Sequence, residues 1–270
     1  MIEIIRKNFR PFQPAIISTS SHVQYKEFAP SFKLQPFIYC YWDLKTNERL
    51  IENYNYRVIA DGCIDIFFEH TEPEKIYVMG FSTAFSEFPL GLSFHYTGIR
   101  FLPTAFPQLF QINASEISNQ VFSLSDLNKA IVKSLEQIHS CGQDFVEKRE
   151  EMNRLFEKLL SNTQLAFDPR LYRAIDLILK KRGHVHTESD LNTGLSPRQL
   201  RRLFEFYLGD SQKSFSRVVR FQSAVASVFS NKMQVVPDYI SLGYFDQTHF
   251  IKDFKHAFGL SPGKAVRLSK

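Results

Sequence analysis

The chain is predicted to be an α+β protein: an N-terminal β-rich, barrel- or sandwich-like domain, a helical connector, and a C-terminal all-α domain of two helix-turn-helix units joined by a long helix. Three observations predict this. Short aromatic and β-branched runs, broken by turn residues, fill most of the first hundred positions. Helical periodicity takes over near Ser123, and the last hundred positions contain a repeat at an offset of 50 residues. At 270 residues the chain has room for two domains. The expected divisions are 1–122, 123–168 and 169–270.

The β-rich assignment rests on FIYCYW (Phe37–Trp42), VIADGCIDIFF (Val58–Phe68) and IYVMGF (Ile76–Phe81). Their short length and their β-branched and aromatic content suit strands better than helices. Asp61-Gly62, between two such runs, predicts a hairpin turn, because glycine supplies the positive φ of a tight turn. Asp65 and Arg100 lie inside apolar runs, where a charge needs a partner. They are expected to form a buried ion pair, or else to anchor a pocket.

In the connector, Leu124, Leu127, Ile131, Leu135 and Ile138 follow helical spacing, and a second amphipathic stretch runs from about Gln143 to Leu160. These helices either pair with a second copy, giving a homodimer, or cover their own sheet. Asp168-Pro169 then restarts a helix, with Asp as cap and Pro at the first turn.

Charge is divided unevenly. From Pro169 onward there are 17 Lys and Arg against 8 Asp and Glu, whereas residues 1–168 carry 16 against 20. A basic half beside an acidic half suits a module that meets a polyanion.

The repeat shows how it would do so. LSPRQLRRLFEFYLGDSQKSF (Leu195–Phe215) matches FDQTHFIKDFKHAFGLSPGKA (Phe245–Ala265). Each copy has a capping Ser196 or Asp246, an apolar stripe at i, i+4 and i+8, a glycine (Gly209 or Gly259) at the helix end, and a serine to start the next helix. A short helix ending at Gly194 or Gly243 is expected ahead of each, completing the helix–turn–helix outline. The two reading helices are expected at 196–208 and 246–258.

If Leu200, Leu203, Phe204 and Tyr207 face inward, Arg198, Arg201 and Arg202 face outward. Arginine can pair bidentately with a guanine edge and also reach phosphates. Gln247, Thr248 and Lys252 hold the equivalent side of the second unit, with Lys255 one turn on. The segment between the repeats reads as one helix of about 20 residues, spanning roughly 30 Å, close to the roughly 34–36 Å of one B-DNA turn. Double-stranded DNA is therefore the expected partner, entered at successive major grooves.

GYFDQTHFIKDFKHAFGLSP (Gly243–Pro262) and LSPRQLRRLF (Leu195–Phe204) resemble the AraC/XylS family of transcription regulators, over roughly Leu171 to Arg267. The resemblance implies base contacts from Arg198, Arg201 and Arg202 and from Thr248 and Lys252, and a functional link to RNA polymerase. The chain departs from the family at Asp190 and Tyr239, where a small alanine is usual, which affects the packing of the first helix of each unit. VIADGCIDIFFE (Val58–Glu69) and GIRFLPTAF (Gly98–Phe106) resemble the β-rich domain of some members, which implies a small-molecule effector or a dimerisation role.

Other chemistries find less support. GxSxG, GxxxxGK and GxGxxG are missing, so no catalytic residues or cofactors are expected. His70 and His95 lack a ligand spacing, and His184 and His186 stand at the edge of the basic half, so no metal is expected. The main alternative is a thiol-based sensor, or a repair protein taking an alkyl group onto cysteine. It would use Cys40, Cys63 or Cys141, of which the first two sit among apolar residues. Neither a signal-like apolar stretch at the N-terminus nor an 18-residue apolar run occurs, which predicts a cytoplasmic protein with no membrane partner.

Overall fold

The computed structural model describes residues 2–14, 22–72, 74–140, 145–187, 189–230 and 238–267. Among these residues eight strands form two sheets. β1 (Val23–Phe28), β2 (Ile38–Thr46), β4 (Ile64–Glu69), β5 (Ile76–Met79), β7 (His95–Phe101) and β8 (Val121–Ser123) make a six-stranded antiparallel sheet in the order β1-β2-β7-β4-β5-β8. β3 (Tyr54–Val58) and β6 (Ser86–Gly91) pair as a separate antiparallel ribbon.

The expected hairpin at Asp61-Gly62 is therefore corrected. Gly62 does take φ +79°, but the strands on either side of it belong to different sheets, so the turn carries the chain from the ribbon to the large sheet. A local turn signal specifies a reversal; it cannot specify which distant strand the chain then joins.

Side chains alternate across the large sheet, as period-two strands require. One face, with Cys40, Trp42 and Leu44, meets Tyr56 of the ribbon in a small aromatic core. The other, with Ile38, Tyr41, Ile66, Ile99 and Phe101, joins the main core. Helix α4 (Phe145–Asn162) lies against this second face. Its Asn153 accepts a hydrogen bond from the Tyr41 hydroxyl at 3.1 Å, Phe145 stacks on Phe28, and Met152 and Phe156 are fully buried. Of the two readings of the connector, the helices of this copy cover their own sheet.

Asp65 and Arg100 meet as expected, in a cross-strand pair of β4 and β7. The Arg100 guanidinium is 1% exposed and donates to both Asp65 carboxylate oxygens, at 3.0 and 3.2 Å. Asp61 and Glu27 approach the same guanidinium at 3.4 Å. Burial outweighs the attraction of Arg100 and raises the Asp65 carboxyl to about 6. The pair also lines a cavity, so the two sequence readings of these residues hold together.

The core does not stop at the end of the sheet. One cluster of buried side chains runs from Ile2, just ahead of α1 (Glu3–Asn8), and Ile5 within it, through the sheet to Phe250, Phe254 and Val266. Among the described residues no helix is long and apolar enough to cross a membrane. Replacing Arg100 with Leu should cost about 3–5 kcal/mol, because it strands buried carboxylates without their counter-charge. A denaturant midpoint within error of the parent would show that the pair contributes nothing.

Candidate nucleic-acid interface

The C-terminal part begins at α5 (Pro169–Lys180), where Asp168 accepts from the Arg170 amide at 2.9 Å and Pro169 occupies the first turn. α6 (Pro197–Leu208) and α8 (Gln247–Phe258) are both 12 residues long and keep the 50-residue offset. Ser196 caps α6 in a reciprocal capping box with Gln199, and Asp246 caps α8 by accepting from the His249 amide at 2.7 Å. Leu200, Phe204 and Leu208 are buried along α6; Phe250, Phe254 and Phe258 are their counterparts along α8. Between them runs α7 (Gln212–Ser230), 19 residues long, or about 28 Å at 1.5 Å per residue.

Of the short helices expected ahead of α6 and α8, the first includes Glu188 and the second residues 231–237, all outside the described residues; the described part ahead of each is a turn. The Asp190 carboxylate accepts from the His186 amide at 3.2 Å and from Lys181 Nζ at 3.0 Å. Asp190 thus tethers the segment to the end of α5 instead of packing it as a helical face. Before α8, Tyr244 N–H returns to the Tyr239 carbonyl and Gly243 N–H to that of Ile240, closing a turn at Gly243.

All seven residues expected to meet DNA are exposed: Arg198, Arg201 and Arg202 on α6, and Gln247, Thr248, Lys252 and Lys255 on α8. They are not equally free. Arg201 Nε donates to Glu205 one turn on, at 2.7 Å, whereas Arg198 and Arg202 have no side-chain partner among the described residues. An arginine already held by a carboxylate must exchange that bond before it takes another.

The two units are joined by a strut that sequence reading missed. Arg217 of α7 donates to the buried Asp253 of α8 at 2.6 Å, and Arg220 approaches the same carboxylate at 3.8 Å. Beside it, Lys213, Arg217, Lys252, His186, His249 and His256 line a groove of about 860 Å³. Phe245, 87% exposed, stands just ahead of α8. An exposed phenylalanine next to a polar helix was the signal available for it.

Both α6 and α8 end on the β-rich part of the chain. Gly209 and Gly259 close α6 and α8 with φ of +105° and +89°, a conformation that favours glycine. The Ser118 hydroxyl donates to the Gly209 carbonyl at 2.6 Å, and the Phe85 ring lies against Gly259, so an added Cβ would come within 2.3 Å of the first and 2.7 Å of the second. The Phe85 amide also donates to the His256 carbonyl at 3.4 Å, and the Ala60 amide to that of Ala257 at 3.2 Å.

Residues 192–267 match a family described as a helix-turn-helix domain. The matched stretch includes the residues whose sequence resembles the AraC/XylS family. Residues 26–123 match a domain of unknown function, DUF6597. A curated relative, an uncharacterized HTH-type transcriptional regulator of Haemophilus influenzae, is 31% identical over 100 residues, or 36% of this chain. The chain spans 33% of that relative's length. Similar solved structures include ToxT from Vibrio cholerae O395, with TM-score 0.42 and 12% identity over 93% of this chain and 99% of that one. Another is ToxT bound to (E)-4-(8-methylnaphthalen-1-yl)but-3-enoic acid, with TM-score 0.44 and 11% identity over 92% and 100%.

Rival sites can be judged on geometry. Cys40 and Cys63 are buried, and burial pushes both thiols well up, away from the thiolate a sensor or alkyl acceptor requires. Cys141 lies outside the described residues. Asp43, His70 and His95 gather ligand atoms within 4.8 Å of one another. Yet the two imidazoles stack in parallel at 3.7 Å, so their lone pairs do not converge. His70 Nδ1 meets Lys148 Nζ at 3.1 Å, His70 Nε2 meets Thr97 at 2.8 Å, and His95 Nε2 meets Asp43 at 2.7 Å. With the lysine as donor, His70 has its Nε2 protonated and facing the threonine, which suits a closed hydrogen-bond chain rather than a metal.

Asp253→Ala should lower stability by about 1.5–3 kcal/mol, since it removes a buried acceptor of charge-assisted hydrogen bonds and leaves Arg220 facing an empty site. An unchanged thermal midpoint would rule out the strut.

Proposed function

We propose that the protein is a sequence-specific DNA-binding transcription regulator whose α6 and α8 enter successive major grooves. The observation that carries this reading is the pair of equal-length capped helices, each presenting exposed polar or basic side chains and joined by a helix of about 28 Å, comparable with the roughly 34–36 Å of a B-DNA turn. In this reading Arg198 and Arg202 read base edges from α6, and Arg201 joins them or a phosphate once it releases Glu205. Gln247 and Thr248 read from α8, with Phe245 positioned for a thymine methyl, while Lys252, Lys255, Lys213 and Arg217 meet phosphates.

The division of labour follows 1–122 as the sensing or dimerising domain, 123–168 as connector and 169–270 as the DNA-binding domain. Output would come from contact with RNA polymerase or from occlusion of it. Such work belongs in the cytoplasm, with the chromosome.

The decisive experiment is binding of the full chain, at physiological salt, to the DNA upstream of its own gene in competition with random duplex. A preference of about a thousandfold or more is expected; equal affinity for every duplex tried would sink the reading. Arg202→Ala should cost about 1–3 kcal/mol on the preferred site and little on random DNA. Lys252→Ala should weaken both alike and reduce the salt slope by about one.

A further inference from the structure

The β-rich part holds a cavity of about 260 Å³ between the six-stranded sheet and the β3–β6 ribbon. Its walls are aromatic: Trp42, Phe67, Tyr77 and Tyr96 come from the sheet, Tyr56 and Phe88 from the ribbon. At its polar end are Asp65 and Arg100. The charge there is not that of an anion site. The Arg100 guanidinium is surrounded by Asp65, Asp61 and Glu27, all within 3.4 Å, so three carboxylates meet one cation. Glu69, four residues along β4 from Asp65, accepts from the hydroxyl of Tyr96 in the cavity wall at 3.3 Å. An incoming carboxylate would find its positive partner already taken and further negative charge behind it. An incoming ammonium would find excess negative charge and the faces of electron-rich rings.

The ribbon connects this cavity to the second reading helix. Val58 and Phe88 line the cavity, and Val58 pairs with Ser86 at the ribbon's end. Immediately beyond that pair, the amides of Ala60 and Phe85 donate to the carbonyls of Ala257 and His256 in the last turn of α8. Ile59, between Val58 and Ala60, is held by Gln13 through two hydrogen bonds of 3.0 Å, so it has little freedom to absorb a shift of the ribbon.

We propose that this cavity binds a small organic cation carrying an aromatic ring or compact apolar group, and that its occupant repositions α8 through the β3–β6 ribbon. The first half stands by itself; the second rests on the DNA-binding reading above.

The chain has a single tryptophan, and it is the one in the cavity wall, so intrinsic fluorescence reports occupancy directly. The full-length protein would be titrated with phenethylamine, tyramine and benzyltrimethylammonium, and in parallel with the carboxylate isostere 3-phenylpropionate and an unsaturated fatty acid. A saturable fluorescence change with at least one of the cations, and none with the carboxylates, is expected. Val121→Phe, at the exposed edge of the lining, should abolish it without lowering the thermal midpoint. No saturable change with any cation, or equal response to the carboxylates, overturns the site.

On the preferred DNA fragment, a bound cation should change affinity by about fivefold or more, the lower end of ordinary allosteric coupling. Phe85→Ala should keep the fluorescence response and lose most of that change. Ligand binding that leaves DNA affinity untouched overturns the ribbon relay alone. Failure to prefer any DNA would overturn the regulatory reading, while the fluorescence titration still decides the cavity.

Discussion

The arrangement of α6 and α8 depends on where their C-terminal ends are seated. A helix supported only by its neighbours within a helix-turn-helix unit would be free to tilt with that unit. Here the glycine that ends α6 is bonded by Ser118, and the glycine that ends α8 is covered by Phe85, while Ala60 and Phe85 hold the last carbonyls. The β-rich part thus holds one end of each helix and leaves the opposite, capped end to solvent. Burial reinforces these bonds, since one apolar cluster runs from α1 through the sheet to α8 and α9 (Pro262–Arg267). The Gln222 side chain, bonded to both Phe12 and Ala60, ties the long α7 into the same frame.

Charge is sorted by role across this frame. Arginines that hold the fold are buried against carboxylates: Arg100 in the β-rich part, and Arg220 beside Asp253 between the units. On α6, Arg198 and Arg202 have no acidic partner among the described residues, and both are on the exposed side of the helix. Arg217 does both, since it pairs with Asp253 while remaining half-exposed beside the groove.

The C-terminal part was legible in the sequence because its signals are local. A capping serine or aspartate, an apolar stripe and a terminal glycine all lie within 14 residues, and both copies fold accordingly. Interpretation failed where the outcome depended on distant partners. Asp61-Gly62 gives a true turn but not the strand pairing that follows it. Ahead of α6 the signal is equally local, but Asp190 is bonded to Lys181, nine residues back, and to the backbone of His186. Asp65 and Arg100 announced a buried pair, but the aromatic cavity around them needs Tyr56 and Phe88 from a ribbon whose strands are some thirty residues apart. Ser118 and Phe85 carry no sequence mark of their seat beneath α6 and α8.

The shared core also bears on how such a chain can evolve. Two modules joined by a loose tether can be exchanged among proteins freely, each bringing its own interior. In this chain the partners in the interior come from opposite ends: Phe9 lies against Phe215, and Phe12 stacks on Phe229. A recombinant inheriting only one half would present a wall of unmatched aromatic rings. Descent by gene fusion must therefore have been followed by mutual fitting, and amino-acid changes at one end should be answered by changes at the other.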